Sequence, residues 1–302
     1  MLGGFVLALL LGRGLVPALR ALKAGQSIRE VGPKWHQGKS GTPTMGGIVF
    51  ILSSLLCIVT GWHAMRETGD YKHLFVLALA LMFGLIGFAD DFIKVKKKRN
   101  LGLTGLQKLV LQVLAACLFL AGMHFTNALT YDLYVPLSGN RSSTSRRWSI
   151  WRCPVFIIVG CVNAVNLTDG IDGLATGVTL PVMLFFTLVS MTAKQWGLAT
   201  FPATLVGALG GFLFYNFYPA KTFMGDTGSL YLGGAVCGLA YALDMPLVLL
   251  FVGLIYIIET LSDILQVSYF KLTHGKRIFQ NEPYPPPFRA ERLERSENCL
   301  CV

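Results

Sequence analysis

Long, almost uninterrupted apolar runs alternate with short polar stretches along most of this chain. A helix needs about 20 mostly apolar residues to cross the hydrocarbon core of a bilayer. Nine runs approach that length, with soft edges: 1–19, 45–62, 74–89, 106–126, 150–165, 174–192, 198–217, 228–243 and 246–270. They are too long and too uniformly apolar for the alternating strands of roughly ten residues that build a membrane barrel. The pattern predicts an all-α fold, a polytopic membrane helix bundle with about nine transmembrane helices. The first run is short and carries Arg13. Met1–Leu11 has neither a basic leader nor a following small-residue cleavage site, so it reads as part of a membrane helix and not as a cleaved signal. Gly207, Gly210 and Gly211 suit close helix approach in lipid. No internal repeat or linker divides the chain.

Composition removes the soluble alternatives. Of 302 residues, 53% are hydrophobic and 14% charged, where soluble domains carry about 25% charged residues. A net charge of +10 raises nucleic acid as a partner. The basic residues, however, fall between the apolar runs and not along one soluble face, so membrane loops account for them and no nucleic acid is expected. Alternating sides from an outside N-terminus puts 18 of the 26 Lys and Arg on loops 20–44, 90–108, 166–173, 215–227 and 271–302, against 7 on the opposite loops. The positive-inside rule makes the first face cytoplasmic, with Arg141, Arg146 and Arg147 dissenting. Seven scattered cysteines form neither a disulfide framework nor a zinc pattern and read as structural or incidental.

The carboxylates carry more information. Asp90 and Asp91 end the third run, Asp169 and Asp172 follow the fifth, and Asp226 follows the seventh. All five fall at the same predicted border, where charge beside hydrocarbon is costly and points to function. Any one of them alone could be a helix cap; five on one face could not. Lys94, Lys96, Lys97, Lys98 and Arg99 follow the aspartate pair, with Lys108 close behind. Such a run orients the protein in the membrane and touches anionic lipid. Beside a carboxylate cluster it also supplies what metal-assisted phosphoryl transfer needs, cations for the charge that the metal leaves uncompensated. A transporter would instead gather its polar residues near the bilayer midplane.

Five segments carry a family resemblance: Gly41-Thr42-Pro43-Thr44-Met45-Gly46-Gly47, Asp90-Asp91, the loop from Asn163 to Gly173, Phe223-Met224-Gly225-Asp226 and Gly275-Lys276-Arg277-Ile278-Phe279. From about Gly25 to Phe279 the chain resembles the phospho-N-acetylmuramoyl-pentapeptide transferases, a branch of the polyprenyl-phosphate N-acetylhexosamine-1-phosphate transferase superfamily. The resemblance implies a Mg2+-dependent enzyme of the bacterial cytoplasmic (inner) membrane, its active site on the cytoplasmic side. It would pass phospho-MurNAc-pentapeptide from UDP-MurNAc-pentapeptide to undecaprenyl phosphate, giving lipid I and UMP in peptidoglycan synthesis, and so serve cell shape and division. Membrane lipid is an implied partner, and a homodimer is left open.

Carried over by position, Asp226 matches the family's metal-binding aspartate, Asn166 is its second ligand, and Asp90 and Asp91 match the catalytic pair that acts with Asp226. One of the pair would deprotonate or orient the lipid phosphate, and the other would support the metal and the lysines. Gly170, Asp172, Asn216 and Phe223 match positions around the uridine; Lys39, Thr44, Lys94 and Lys98 would meet the phosphates; Asn163 and Asp169 complete the substrate-binding set. Direct attack and an aspartyl-phosphate intermediate both remain open. The pattern departs after Phe279. Where the family carries Ala-Pro-x-His-His-His-Phe-Glu, this chain reads Glu282-Pro283-Tyr284-Pro285-Pro286-Pro287-Phe288-Arg289. Proline offers neither a ring nitrogen nor a side-chain donor. The expected division is a membrane transferase domain over 1–279 and an atypical tail over 280–302 replacing the family's last loop and helix. The alternatives are a UDP-GlcNAc:polyprenyl-phosphate GlcNAc-1-phosphate transferase and an inactive truncated homologue.

Overall fold

Every one of the nine apolar runs is helical. The computed structural model describes residues 1–22, 42–97, 101–128, 132–134, 141–143 and 149–273. In order these form α1 (Leu2–Ala21), α2 (Ile48–Ser54), α3 (Leu56–Thr68), α4 (Lys72–Lys97), α5 (Gly105–Phe125), β1 (Asp132–Tyr134), β2 (Arg141–Ser143), α6 (Ser149–Thr168), α7 (Leu174–Thr192), α8 (Trp196–Asn216), α9 (Gly225–Ala242), a 3-10 turn (Pro246–Val248), α10 (Leu249–Val252) and α11 (Leu254–Leu272). The segment from Gly275 to Phe279 and the tail over 280–302 lie outside the described residues, as do Lys39 and Lys98.

The expected polytopic helix bundle is present, and length and apolarity alone mark fewer spans than nine. Six helical stretches among the described residues are long and apolar enough to cross a bilayer, with α2 and α3 counting as one. A seventh is reached if Pro246–Val252 and α11, which meet at 74°, are one broken span. Helix α9 falls outside that number for a physical reason. All its residues except Asp226 are buried inside the protein, so its surroundings are other helices and it has no need of lipid-facing leucines. Glycines occupy its contact positions: Gly233 lies against Val162 of α6 and Gly234 against Ala80 of α4. The peripheral helices behave in the opposite way. Leu85 on α4, Leu106, Leu118 and Phe125 on α5 and Leu188 on α7 are exposed, an arrangement suited to a hydrocarbon solvent.

Gly207 and Gly211 bring α8 onto the backbone of α1 near Met1 and Phe5, as the glycine spacing predicts. The antiparallel pair, Asp132 opposite Ser143 and Tyr134 opposite Arg141, lies outside every apolar run and was not expected. The described cysteines Cys57, Cys117, Cys153, Cys161 and Cys237 are all free. Helix α5 begins with a capping box: the Thr104 hydroxyl accepts from the Gln107 amide, and the Gln107 side chain accepts from the Thr104 amide at 3.0 Å. That stop-and-start positions Lys108 one turn inside the helix, facing the cluster described next.

Candidate active site

Asp90 and Asp91 sit near the C-terminal end of α4, and Asp226 is the second residue of α9. The two helices come together because Gly87, one turn before the aspartate pair, has no side chain. A Cβ there would overlap the carbonyl oxygen of Asp226. Gly225 adopts φ +71°, a backbone state that glycine enters without steric cost, and a Cβ on it would press against Asp91 Oδ2 at 2.5 Å and Thr44 Oγ1 at 2.6 Å. The fully buried Asp91 then caps α9 from a different helix. Its Oδ2 accepts the Thr227 amide at 2.9 Å and the Thr227 hydroxyl at 2.7 Å, satisfying a donor that the first turn of a helix leaves unpaired.

Two ammonium groups lie among three carboxylates. Lys94 Nζ stands 2.6 Å from Asp90 Oδ2, 3.0 Å from Asp226 Oδ2 and 3.8 Å from Asp91 Oδ1. Lys108 Nζ is 3.0 Å from Asp226 Oδ2. Asn166, at the end of α6, donates its amide to Asp226 Oδ1 at 3.0 Å and to Ser229 Oγ at 2.7 Å. Asp90 Oδ1 accepts the Leu103 amide at 2.7 Å. Each aspartate offers one oxygen within 4.8 Å of the others, and Asp91 Oδ1 is buried without a hydrogen-bond donor. Three carboxylates against two lysines leave a net negative charge. Hard oxygen donors of this kind, one of them unsatisfied, fit a magnesium-like cation.

A brace surrounds the cluster. The chain from Pro43 to Gly47 runs beside residues 222–224: Phe223 N donates to Pro43 O at 2.9 Å, Gly46 N to Phe223 O at 2.8 Å and Gly47 N to Met224 O at 3.1 Å. Buried Asn216 accepts from the Thr176 hydroxyl at 2.7 Å and donates to Thr222 O at 3.1 Å, and Asp172 Oδ2 accepts the Ala220 amide at 3.1 Å.

The structure thus brings Asp90, Asp91, Lys94, Asn166 and Asp226 together, with Thr44 at the edge, its hydroxyl buried without a partner. Asn216 and Asp172 hold the 217–224 loop, Phe223 is half-buried in it, and Gly170 is exposed. Asn163 stands apart, its amide paired with Gln112 at 2.8 and 3.3 Å and donating to Val159 O at 2.8 Å. Lys108 and Gln112 were absent from the predicted site set. Their signal is two polar residues four apart on a mostly apolar helix, which places both on one face. Gln112→Ala would leave the Asn163 amide underpaired, so a loss of about 1–3 kcal/mol is expected, read as a lowered Tm; an unchanged Tm would make the pair incidental.

Half-buried Asp169 lies in the loop between α6 and α7. Burial, then the charges of Asp226, Asp91 and Asp172, push its carboxyl well above the usual range. The folded protein therefore holds this proton more tightly than the unfolded chain, and ionising it costs stability as pH rises above the ordinary carboxylate range. Asp169→Asn is expected to raise the Tm of metal-free protein at neutral pH. The gain should shrink as pH falls toward that range, and a lower Tm at neutral pH would contradict this.

This buried carboxylate cluster falls within residues 73–244, which match the Glycosyl transferase family 4 profile, so the class is that of a membrane-embedded glycosyl transferase. A second pattern, phospho-N-acetylmuramoyl-pentapeptide-transferase signature 1, matches residues 39–51. The chain is 46% identical over 283 residues to a phospho-N-acetylmuramoyl-pentapeptide-transferase of Bacillus subtilis (strain 168), covering 94% of this chain and 86% of that one. Enzymes of the same name from Acetivibrio thermocellus and Caldanaerobacter subterraneus subsp. tengcongensis are each 47% identical, over 92% of this chain and 82% and 85% of theirs. The chain belongs to the phospho-N-acetylmuramoyl-pentapeptide-transferase family.

Proposed function

We propose that the chain transfers phospho-MurNAc-pentapeptide from UDP-MurNAc-pentapeptide to undecaprenyl phosphate, releasing UMP and forming lipid I at the cytoplasmic face of the bacterial inner membrane. The observation that carries this reading is the convergence of Asp90, Asp91 and Asp226 within 4.8 Å around Lys94. These residues come from helices far apart in sequence and meet at the end of the bundle that the charge asymmetry of the loops assigns to the cytoplasm. In this reading 1–279 is the transferase unit and 280–302 an atypical tail.

An oxygen of the lipid phosphate attacks the sugar-linked phosphorus, and the bond from that phosphorus to the oxygen it shares with the uridine-linked phosphate breaks, so UMP leaves. Asp90 orients or deprotonates the lipid phosphate, its Oδ2 lying 2.6 Å from the Lys94 ammonium. Asp91 is committed to the start of α9 through Thr227 and keeps the two helix ends in register. Lys94 and Lys108 neutralise charge that builds on the phosphate oxygens. Asp226 would hold Mg2+ together with an oxygen of the aspartate pair, and Asn166 would complete the set by turning its amide oxygen inward. The ion, when bound, supplies charge neutralisation at the non-bridging phosphate oxygens. Thr44 offers its unpaired hydroxyl to a phosphate, as Lys39 and Lys98 offer charge. Phe223 and Gly170, steadied by Asn216 and Asp172, frame the uridine; Asp169 borders the same loop, and Asn163 acts through its Gln112 pair.

Donor competition tests the reading. Membranes carrying the chain, given undecaprenyl phosphate and either labelled UDP-MurNAc-pentapeptide or labelled UDP-GlcNAc, should form lipid-linked product from the first donor. Label entering lipid from UDP-GlcNAc alone would assign the GlcNAc-1-phosphate reaction instead.

A further inference from the structure

On the flank of the same bundle end, α1 and the last turn of α8 enclose a cleft of about 520 Å³ whose lining includes Arg13, Val16, Pro17, Arg20, Tyr215 and Lys221. The acidic cluster contributes nothing to it. Arg13 and Arg20 are seven residues apart, so they stand on one face of α1 about 10 Å apart along the axis, with Val16 and Pro17 between them. Tyr215 donates its hydroxyl to Leu9 O at 2.8 Å, which pins α8 to α1 at the base of the cleft. Lys221 comes from the loop that follows α8. Among the described residues no carboxylate pairs with Arg13, Arg20 or Lys221.

Arg13 is the informative member. It sits eight residues inside the C-terminal end of a helix long and apolar enough to span the membrane, where a cation lacking a counter-charge is costly. Its long side chain can extend along the helix, and it lines the cleft together with Arg20 and Lys221. Three cations that pair with no carboxylate among the described residues, above an apolar floor, match a ligand that is anionic at one end and hydrocarbon at the other. We infer that this cleft binds one anionic phospholipid of the surrounding bilayer, its phosphate among Arg13, Arg20 and Lys221 and an acyl chain along Val16 and Pro17. Lys221 precedes Thr222 and Phe223, which bond to Pro43, so the bound lipid also steadies the loop leading to Asp226.

The test uses the full chain purified in neutral detergent with phosphatidylcholine, and compares added phosphatidylglycerol, more phosphatidylcholine, inorganic phosphate and undecaprenyl phosphate. Phosphatidylglycerol should raise Tm by roughly 2–4 °C at saturation, and phosphatidylcholine and inorganic phosphate should not. The combined variant Arg13→Gln, Arg20→Gln, Lys221→Gln should lose that rise. An equal rise in parent and variant overturns the proposal. A matching rise with inorganic phosphate would make this a free-anion site, and displacement of phosphatidylglycerol by undecaprenyl phosphate would make it an acceptor site; either result also overturns it. If the combined variant fails to fold, Arg20→Gln and Lys221→Gln, both at exposed side chains, are measured singly by native mass spectrometry. Each should lower phosphatidylglycerol occupancy several-fold, and unchanged occupancy in both would refute the inference.

Discussion

Asp226→Ala is expected to lower magnesium-dependent transfer by about 10³-fold or more while the purified protein remains folded. Asp226 Oδ2 sits between Lys94 and Lys108, and its Oδ1 is held by Asn166. No other carboxylate in the cluster touches both lysines. The substitution removes the charge that would hold the ion and leaves two ammonium groups with only Asp90 and Asp91 to compensate them. Packing changes little, because the Asp226 side chain contributes charge and not hydrocarbon contact. Initial rates across a magnesium titration should therefore collapse while Tm moves by a few degrees. A variant that keeps turnover within tenfold of the parent, with the same magnesium dependence, would remove Asp226 from the centre of the mechanism.

Gly87→Ala should be nearly as damaging, for a reason that involves no charge. Alanine is the better helix former by about 1 kcal/mol, so a helix considered alone would gain. Here the added methyl collides with the backbone of Asp226 and with Thr227 N at 2.7 Å, and backbone cannot rotate out of the way as a side chain would. The first turn of α9 must move off α4, costing about 1–3 kcal/mol. It carries Asp226 and the Thr227 donors to Asp91 with it, and a displacement of about 1 Å at a reacting centre can cost roughly 10²-fold in rate. Gly84→Ala, one turn earlier, is the control: its Cβ would meet side chains and no backbone, Tyr231 at 3.2 Å and Ile51 at 3.6 Å. The expected result is a rate loss at least tenfold larger for position 87 than for position 84. Equal, mild effects at both positions would show that the approach of α4 and α9 is not what assembles the cluster.

These two positions also divide what the sequence discloses from what it conceals. Asp226 was legible because a carboxylate at the edge of an apolar run is conspicuous, and because four others share its border. Gly87 was not, since a glycine inside an apolar helix names no partner, and only the fold shows that α9 fills the space it leaves. The same limit explains Asn163 and Asn216. Both lie in segments that mark the family, yet hydrophobic pattern gives a residue's depth and not its neighbour, so the bonds of Asn163 to Gln112 and of Asn216 to Thr176 and Thr222 had no trace in it. Lys108 was visible as charge, but its bond to Asp226 depends on where the Thr104 cap starts α5. The number of spans is hard to read for a related reason: α9 is surrounded by protein, and α11 leaves its predecessor at 74°, so length and apolarity do not report membrane crossing one for one.

In the proposed reaction this chain joins a phospho-sugar to a lipid phosphate at the Asp90, Asp91 and Asp226 cluster. Its most direct test is mass analysis of the lipid and nucleotide products formed by the purified full chain from UDP-MurNAc-pentapeptide and undecaprenyl phosphate. Lipid I and UMP are expected in equal amounts, both lost on chelation, both restored by magnesium, and neither formed when the lipid phosphate is omitted. UMP release without lipid acceptor, or no lipid I from the parent chain under conditions where a Bacillus subtilis relative forms it, would contradict the account.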